Sequence, residues 1–526
     1  MPARTPRFGL LALSLAFIAL GMPFVLRLGI EADEAMLANG IYDHGAPLYS
    51  WKFAGFELPV MLLSYLGALK TWLFNPYFAL WAPSPLSLRL PSLLAGAGAL
   101  WLFFLFVDRT AGRLAAWIAT FLLATDPVFL LINCTDFGFV AIQFLLKLSA
   151  IVLLLRFYRS GSPWALAAAF FLFGLAMWDK AVFAWVLLGL AAATVVVFPR
   201  ELCRRLTLPN AAIAAAFMIL GAAPLAIYNV ARPLETLRAN AKLAPDSALE
   251  KAIILWRTLD GSALFGFFTA LDPGPHPGVP RSVAQRLSAH LAAWLGQPRR
   301  DWMLVALAAS IAIGLLARRA RKPTLFGAVV CAATWLPMAL TAGAGRAVHH
   351  TILLWPFPAF IVAAALSQAP PRWAASSAAL LCAANLAVTN QYLADLIQYG
   401  PAIRFSNAIN PLKEYLQTSN AERIFVADWG AIEALCLLTQ GNLPVENAIV
   451  DNPDTLHRMV VGSSYLFVSH TPEYAFEPKI RARLDQQARK EGFEEEKVTV
   501  IPDRNGRPTF EVFRFRRMLS KPSTQF

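Results

Sequence analysis

Charge is scarce in this chain of 526 residues. Asp, Glu, Lys and Arg make up 15% of it, against roughly 25% in soluble domains, and the hydrophobic share of 57% exceeds the usual figure of about 45–50%. That imbalance excludes an ordinary soluble domain and points to a polytopic membrane protein. Cysteine is also sparse. Cys134, Cys203, Cys331, Cys382 and Cys436 form no CxxC pair and keep no regular spacing, so neither a disulfide framework nor a zinc site is implied. Four of the five lie in or beside apolar runs, where cysteine acts as a small hydrophobe. No internal repeat and no low-complexity tract is present. Acidic residues are outnumbered, leaving a net charge of +13. The basic residues stand in short clusters between apolar runs, which is how membrane topology is written and not how a nucleic-acid groove is built.

What the chain does have is long apolar stretches. A spanning helix needs roughly 17–25 apolar residues, and eleven segments qualify or come close: 8–26, 87–107, 114–131, 138–157, 164–178, 181–198, 211–228, 302–317, 324–342, 351–366 and 373–390. The first has a long apolar core with no A-x-A-like site after it, so it reads as an uncleaved span and not as a signal peptide. With a cytoplasmic N-terminus, Arg4/Arg7, Arg109/Arg113, Arg156/Arg159, Arg200/Arg204/Arg205, Arg318/Arg319/Arg321/Lys322 and Arg372 all fall on one side. The positive-inside rule makes that side cytoplasmic. The expected location is therefore the cell (inner) membrane, with the C-terminus outside.

The outer side collects ionisable groups beside helix ends. The stretch "GIEADEAM" follows the first span directly and carries Glu31, Asp33 and Glu34. Within 46–86 the chain is aromatic and interrupted by proline, and we expect amphipathic helices in the membrane interface, anchored by Trp51, Trp72, Tyr77 and Trp81. Segment 229–301, with its "LDPGPHPGVPR" turn, is expected to be a loop with short surface helices. From 391 onward the composition changes. "ERIFVAD", "LPVENAIV", "SSYLFVSH", "EKVTVIP" and "TFEVFRF" read as strands, with "GAIEALCLLTQG" and "PKIRARLDQQARKEG" as helices between them. This predicts a transmembrane domain over 1–390 and a small extracytoplasmic α/β domain over 391–526. The latter has no GxGxxG, P-loop or nucleophile elbow. Its Asp428-Trp429-Gly430 turn suits either a binding loop or an ordinary strand-to-helix connection.

Each polar group on the outer side also has a plainer reading. Asp33 and Glu34 would complement a helix dipole, and Asp136 in "NCTDFGF" would cap the helix that follows. Asp179-Lys180 would make an ion pair in a tight turn. Arg89 in "SLRLP", Arg346, His349 and His350 would anchor helices at the interface. Adjacent histidines on a helix point about 100° apart, which argues against a shared metal. Taken together, carboxylates on two turns and cations on others lie at one membrane face. That combination suits an anionic lipid headgroup held beside a carboxylate base.

Over roughly residues 8–390 the chain resembles GT-C glycosyltransferases, in the group that includes protein O-mannosyltransferases and the lipid A aminoarabinose transferase. The resemblance rests on "ADEAM" after the first span, "SLRLPSLLAG" opening the second, the Asp of "TDFGF", "GLAMWDKAVF" and "HHTILLWPFPAF". It implies an inverting transferase that takes a sugar from a polyprenyl-phosphate donor to a protein, lipid or glycan acceptor. It further implies that Asp33 is the base that takes the acceptor proton, or a principal ligand positioning the acceptor, with Glu34 and Asp136 shaping the acceptor and sugar side. Lys180, Arg346, His349 or His350, and Arg89 would hold the leaving phosphate. No resident cofactor is expected, and a divalent metal is left open. Where such enzymes carry an Arg-Tyr or His-Tyr pair before the late span, this chain has Val348-His349-His350. A transporter or lipid flippase is the alternative reading, although transporters favour internal repeats and midplane charges. A non-catalytic membrane assembly factor is a third, and would have no need of Asp33 or Lys180.

Overall fold

The structure, a computed structural model, describes residues 7–518 apart from 44, 54, 451 and 463. Arg4 of the first basic cluster lies outside the described residues. Among the described residues, five helices are long and apolar enough to cross a membrane: Arg7–Val25, Pro85–Thr110, Ala141–Ser160, Arg321–Leu340 and Val348–Leu366. Counting each of three sharply bent pairs as one span raises the total to eight. The expected eleven are therefore not confirmed. The expected spans 164–178 and 302–317 correspond to helices of 17 and 14 residues, at and below the lower limit for a bilayer.

The bends have local causes. Segment 114–131 divides into Arg113–Thr125 and Pro127–Thr135, at an angle of 58°. A proline drives the residue before it out of the helical region, and Asp126 is extended (φ −60°, ψ 118°). Asp126 then caps the second half by accepting from the Phe129 amide at 2.8 Å. It also accepts from Trp355 Nε1 at 2.7 Å, which ties the break to the central element of the bundle. That element, Val348–Leu366, is almost wholly enclosed by its neighbours. Lys147 donates to its Leu353 and Trp355 carbonyls at 2.7 and 2.5 Å. Those groups lie where the helix is interrupted and lacks its own donors.

Residues 46–86 correct the expectation of interfacial helices throughout. The first part is an antiparallel sheet of β1 (Tyr49–Phe53), β2 (Phe56–Leu63) and β3 (Leu66–Gly67), and only Leu69–Phe78 is a helix of any length. Aromatic and β-branched residues favour a pleated surface, and Gly55, at φ +84°, supplies the left-handed turn between β1 and β2. Trp72 Nε1 donates to the Pro59 carbonyl at 2.7 Å and pins the helix on the sheet.

The C-terminal region matches its expected strands and helices. β4 (Arg423–Val426), β5 (Val445–Asn447), β6 (Tyr465–His470), β7 (Phe493–Pro502) and β8 (Pro508–Arg517) form one sheet in the order β5-β4-β6-β8-β7. β4 pairs in parallel with β5 and β6, and β8 is antiparallel to β6 and β7. Helices Ile432–Thr439 and Pro478–Lys490 occupy the two expected stretches. The helix Pro371–Gln398 continues past residue 390. A single apolar cluster joins Ile30, Ala35, Leu62 and Phe139 of the outer loops to Ile409, Ile424, Ala434 and Phe510. The sheet domain is thus packed directly on the loop that carries the acidic cluster.

Candidate active site

The acidic cluster opens a one-turn helix, Ala32–Ala35, inside a capping box. Glu31 Oε2 accepts from the Asp33 amide at 2.7 Å, and Glu34 Oε1 accepts from the Glu31 amide at 2.8 Å. Glu34 is wholly buried against Arg89. Arg89 Nε donates to Glu34 Oε2 at 2.9 Å, and its Nη2 donates to Glu34 Oε1. The same guanidinium donates to the carbonyls of Val25, Leu28 and Gly29 at 2.8, 2.9 and 2.6 Å. All five of its N–H groups are engaged. Arg89 therefore clamps the exit of the first span and has no donor left for the phosphate it was expected to bind.

Asp33 is the member of the cluster left without a structural task. Its side chain is half-buried and makes no hydrogen bond to the described residues. Burial raises its carboxyl above the ordinary range, while Lys180 and Arg404 oppose that rise. Glu31 is more deeply buried, and its Oε1 lies 3.6 Å from Arg404 Nη1. Burial, reinforced by Asp33 and Glu34, raises its pKa well above the usual range.

Asp136 stands at the end of helix Pro127–Thr135 with φ +50°. Its Oδ1 accepts from the Ala141 amide at 2.9 Å, so it satisfies the first amide of a helix that starts five residues later, whose N-cap position is Val140. Its Oδ2 lies 2.8 Å from Lys70 Nζ. Lys70 is buried over the Phe139 ring, 4.6 Å from its centroid, and 3.5 Å from the Glu34 carbonyl. Lys180 is buried too, and donates to the Gly138 carbonyl at 2.8 Å. Burial lowers its pKa to about 8, although Asp33, Asp179 and Asp136 pull the other way. Asp179, expected to pair with Lys180, instead accepts from Gln143 Nε2 at 2.6 Å.

His349 packs above Gly138, whose φ is +71°; a Cβ there would come within 2.4 Å of the ring. The His349 ring also touches His350 and Phe137, at centroid distances of 4.3 and 4.6 Å. The histidines, Gly138 and Lys180 thus form one wall. Arg346 is exposed, and no ion pair joins it to this cluster among the described residues. Nor do three His, Cys, Asp or Glu side chains converge on a metal position among the described residues.

The sheet domain supplies the other wall. Asp428 accepts from His470 Nδ1 at 2.8 Å and from the amides of Trp429 and Glu477 at 2.8 and 2.7 Å. Burial acts to raise its pKa, but these bonds outweigh it and hold the carboxylate below its ordinary value. The pair fixes the Asp428-Trp429-Gly430 turn beside Arg404. Lys70, Arg404 and Glu433 are site residues that the sequence did not single out. Glu433, raised to about 7 chiefly by burial with Asp33 adding to it, begins the helix that packs on Ala32–Ala35. A lone lysine in the apolar run "YLGALKTWL" was the available signal for Lys70. Arg404 and Glu433 read only as parts of the C-terminal domain's connector and helix, and no motif marks them.

No family model matches the sequence, and no curated protein matches it. Solved structures do match. ArnT from Cupriavidus metallidurans, in a crystal structure bound to undecaprenyl phosphate, is 12% identical, with 96% of this chain and 97% of that one covered at a TM-score of 0.59. Its apo form gives 13% identity, coverage of 97% and 98%, and a TM-score of 0.57. The oligosaccharyltransferase of Archaeoglobus fulgidus in its apo form is 12% identical, with 91% of this chain and 71% of that one covered at a TM-score of 0.52. At such identities the likeness establishes the fold. The chain is a multi-pass membrane protein with the GT-C fold, carrying a small sheet domain at its C-terminus.

Proposed function

We propose that this protein is an inverting glycosyltransferase of the inner membrane. It moves a sugar from a polyprenyl-phosphate donor to a hydroxyl-bearing acceptor on the extracytoplasmic face, without a resident cofactor. The observation that carries the reading is Asp33. Its neighbours Glu31, Glu34 and Asp136 are committed to caps and ion pairs, whereas the Asp33 carboxylate is uncommitted and in the field of Lys180.

In the reaction, Asp33 takes the proton from the acceptor hydroxyl as that oxygen attacks the anomeric carbon. The bond from the anomeric carbon to the phosphate oxygen breaks, and the polyprenyl phosphate leaves with one more negative charge. Lys180 stabilises that developing charge, since fixed cations in a water-poor site act most strongly where charge appears. His349 and His350 line the same wall, and the exposed Arg346 precedes them by three residues in the chain. Glu34 and Asp136 shape the sugar side by holding the loop and Lys70. The cytoplasmic N-terminus, eleven spans and the domain boundary near 391 belong to this proposal.

The test is a transfer assay with purified full-length protein in nanodiscs, using radiolabelled polyprenyl-phosphate hexoses and pentoses. Release of polyprenyl phosphate with an acceptor-rich membrane extract supports the reading. Failure of the protein to bind any polyprenyl phosphate contradicts it.

A further inference from the structure

Arg404 lies in the connector between the last long helix and the sheet domain, within the turn Ile403–Phe405. That turn touches the catalytic loop backbone to backbone: the Gly29 amide donates to the Phe405 carbonyl at 2.7 Å. A Cβ on Gly29 would fall 2.0 Å from the Ser406 carbonyl oxygen, so the close approach needs glycine. The guanidinium is held between aromatic faces. Its carbon is 4.6 Å from the Trp429 ring centroid, 4.9 Å from Phe476 and 5.5 Å from Phe267.

These rings fix the plane of Arg404 without occupying its N–H edge. Its one ionic partner among the described residues is Glu31, at 3.6 Å, too long for a hydrogen bond. The side chain keeps about a third of its exposure, at 34%. A planar fork of uncommitted donors, about a third open to solvent, is suited to a phosphate or carboxylate. The position is equally specific. Phe267 beneath Arg404 packs tilted against Phe137 at 4.7 Å, and Phe137 meets His349 edge to face at 4.6 Å. His349 covers Gly138, the acceptor of the Lys180 bond. This chain of rings links Arg404, on the sheet-domain side, to the wall that carries Lys180, and each of the two cations acts electrostatically on both Asp33 and His349. One cation is a weak match for a leaving group that departs with two negative charges.

We propose that Arg404 is the second cation of the phosphate site, presented by the C-terminal sheet domain through Trp429 and Phe476, and that it grips the phosphate of the donor and of the departing polyprenyl phosphate. Trp429 is a positioning residue in this scheme. The inference rests on the transferase reading and deepens it, because it makes the sheet domain part of the active site.

The experiment measures binding of a C55 polyprenyl phosphate to the full-length protein in detergent by isothermal titration calorimetry, with the unphosphorylated polyprenol as control. Arg404→Ala should weaken the phosphate by about tenfold or more, as expected for losing a charged hydrogen bond, and leave the polyprenol unchanged. Arg404→Lys should recover part of the loss. Trp429→Ala should weaken the phosphate several-fold and Trp429→Phe should restore it. If the wild type binds and both Arg404→Ala and Arg404→Gln bind equally well with only a lower Tm, Arg404 is a structural bridge to Glu31 and the inference fails. An effect confined to acceptor KM, with phosphate affinity intact, also overturns it by placing Arg404 on the acceptor. A wild type that binds no polyprenyl phosphate sinks the transferase reading itself, a separate outcome.

Discussion

Lys70 Nζ lies 2.8 Å from Asp136 Oδ2, and both side chains are 1% exposed. The pair joins the helix after the β1–β3 sheet to the turn before helix Ala141–Ser160, so two outer segments are held in register by one buried contact. Removing one partner strands the other charge in a dry site, at a cost of about 3–5 kcal/mol. Lys70→Met should therefore lower the Tm in detergent markedly, and adding Asp136→Asn should recover a good part of it. If Lys70→Met leaves the Tm unmoved, the pair does not hold these segments together.

Arg89 tests whether the exit of the first span depends on a fork of five donors. Lys has three donors on a point charge and cannot reproduce bidentate contact with Glu34 together with three carbonyls. Arg89→Lys should reduce the folded yield and the Tm, while the protein that does fold binds polyprenyl phosphate with wild-type affinity. A selective loss of phosphate affinity in stable Arg89→Lys protein would return Arg89 to the donor site.

The pH profile has a defined sign at each end. A base must be deprotonated, so kcat/KM should rise with pH through the Asp33 pKa, on an acid limb displaced above the ordinary carboxylate range by burial. Lys180 must be protonated, so the rate should fall as pH passes about 8. Lys180→Arg, which cannot lose its proton in this range, should remove the alkaline limb. Persistence of that limb in Lys180→Arg protein would assign it to another group.

Topology follows from the basic clusters. Reporter fusions at Arg319 and Ser419 should report opposite sides of the membrane, with Arg319 cytoplasmic. Both on one side would overturn the proposed orientation and the odd number of spans.

Much of this architecture was legible because it is written locally. Apolar runs mark the long helices, and alternating short strands and helices mark the sheet domain down to β8. The hairpin at 49–63 was missed because β2 buries a continuous run, Pro59–Leu62, instead of alternating residues, so its pattern lacks the period that identifies a strand. The eleven-span count rested on apolar runs and the phase of the basic clusters, neither of which registers the break that Pro127 imposes at Asp126. At the site, "ADEAM" was visible as a cluster, yet nothing in sequence separated Glu34, neutralised by Arg89 from 55 residues away, from Asp33, which is left open. Arg404 was invisible for the same reason. Its neighbours Trp429, Phe476 and Phe267 come from three distant segments, and only the folded chain brings them to one guanidinium.

The most direct test of the account is the transfer rate of Asp33→Asn. A dipole role would be met by any carboxylate of the cluster and is worth only about 0.3–1 kcal/mol, whereas a general base contributes roughly 10²–10⁴ in rate from one position. Asn keeps the size and polarity but cannot take the proton. Asp33→Asn should leave Tm and polyprenyl-phosphate binding near wild type while transfer falls about a hundredfold or more, with Glu31→Gln nearly silent. Near-normal transfer by Asp33→Asn would contradict the account and move the base to another carboxylate.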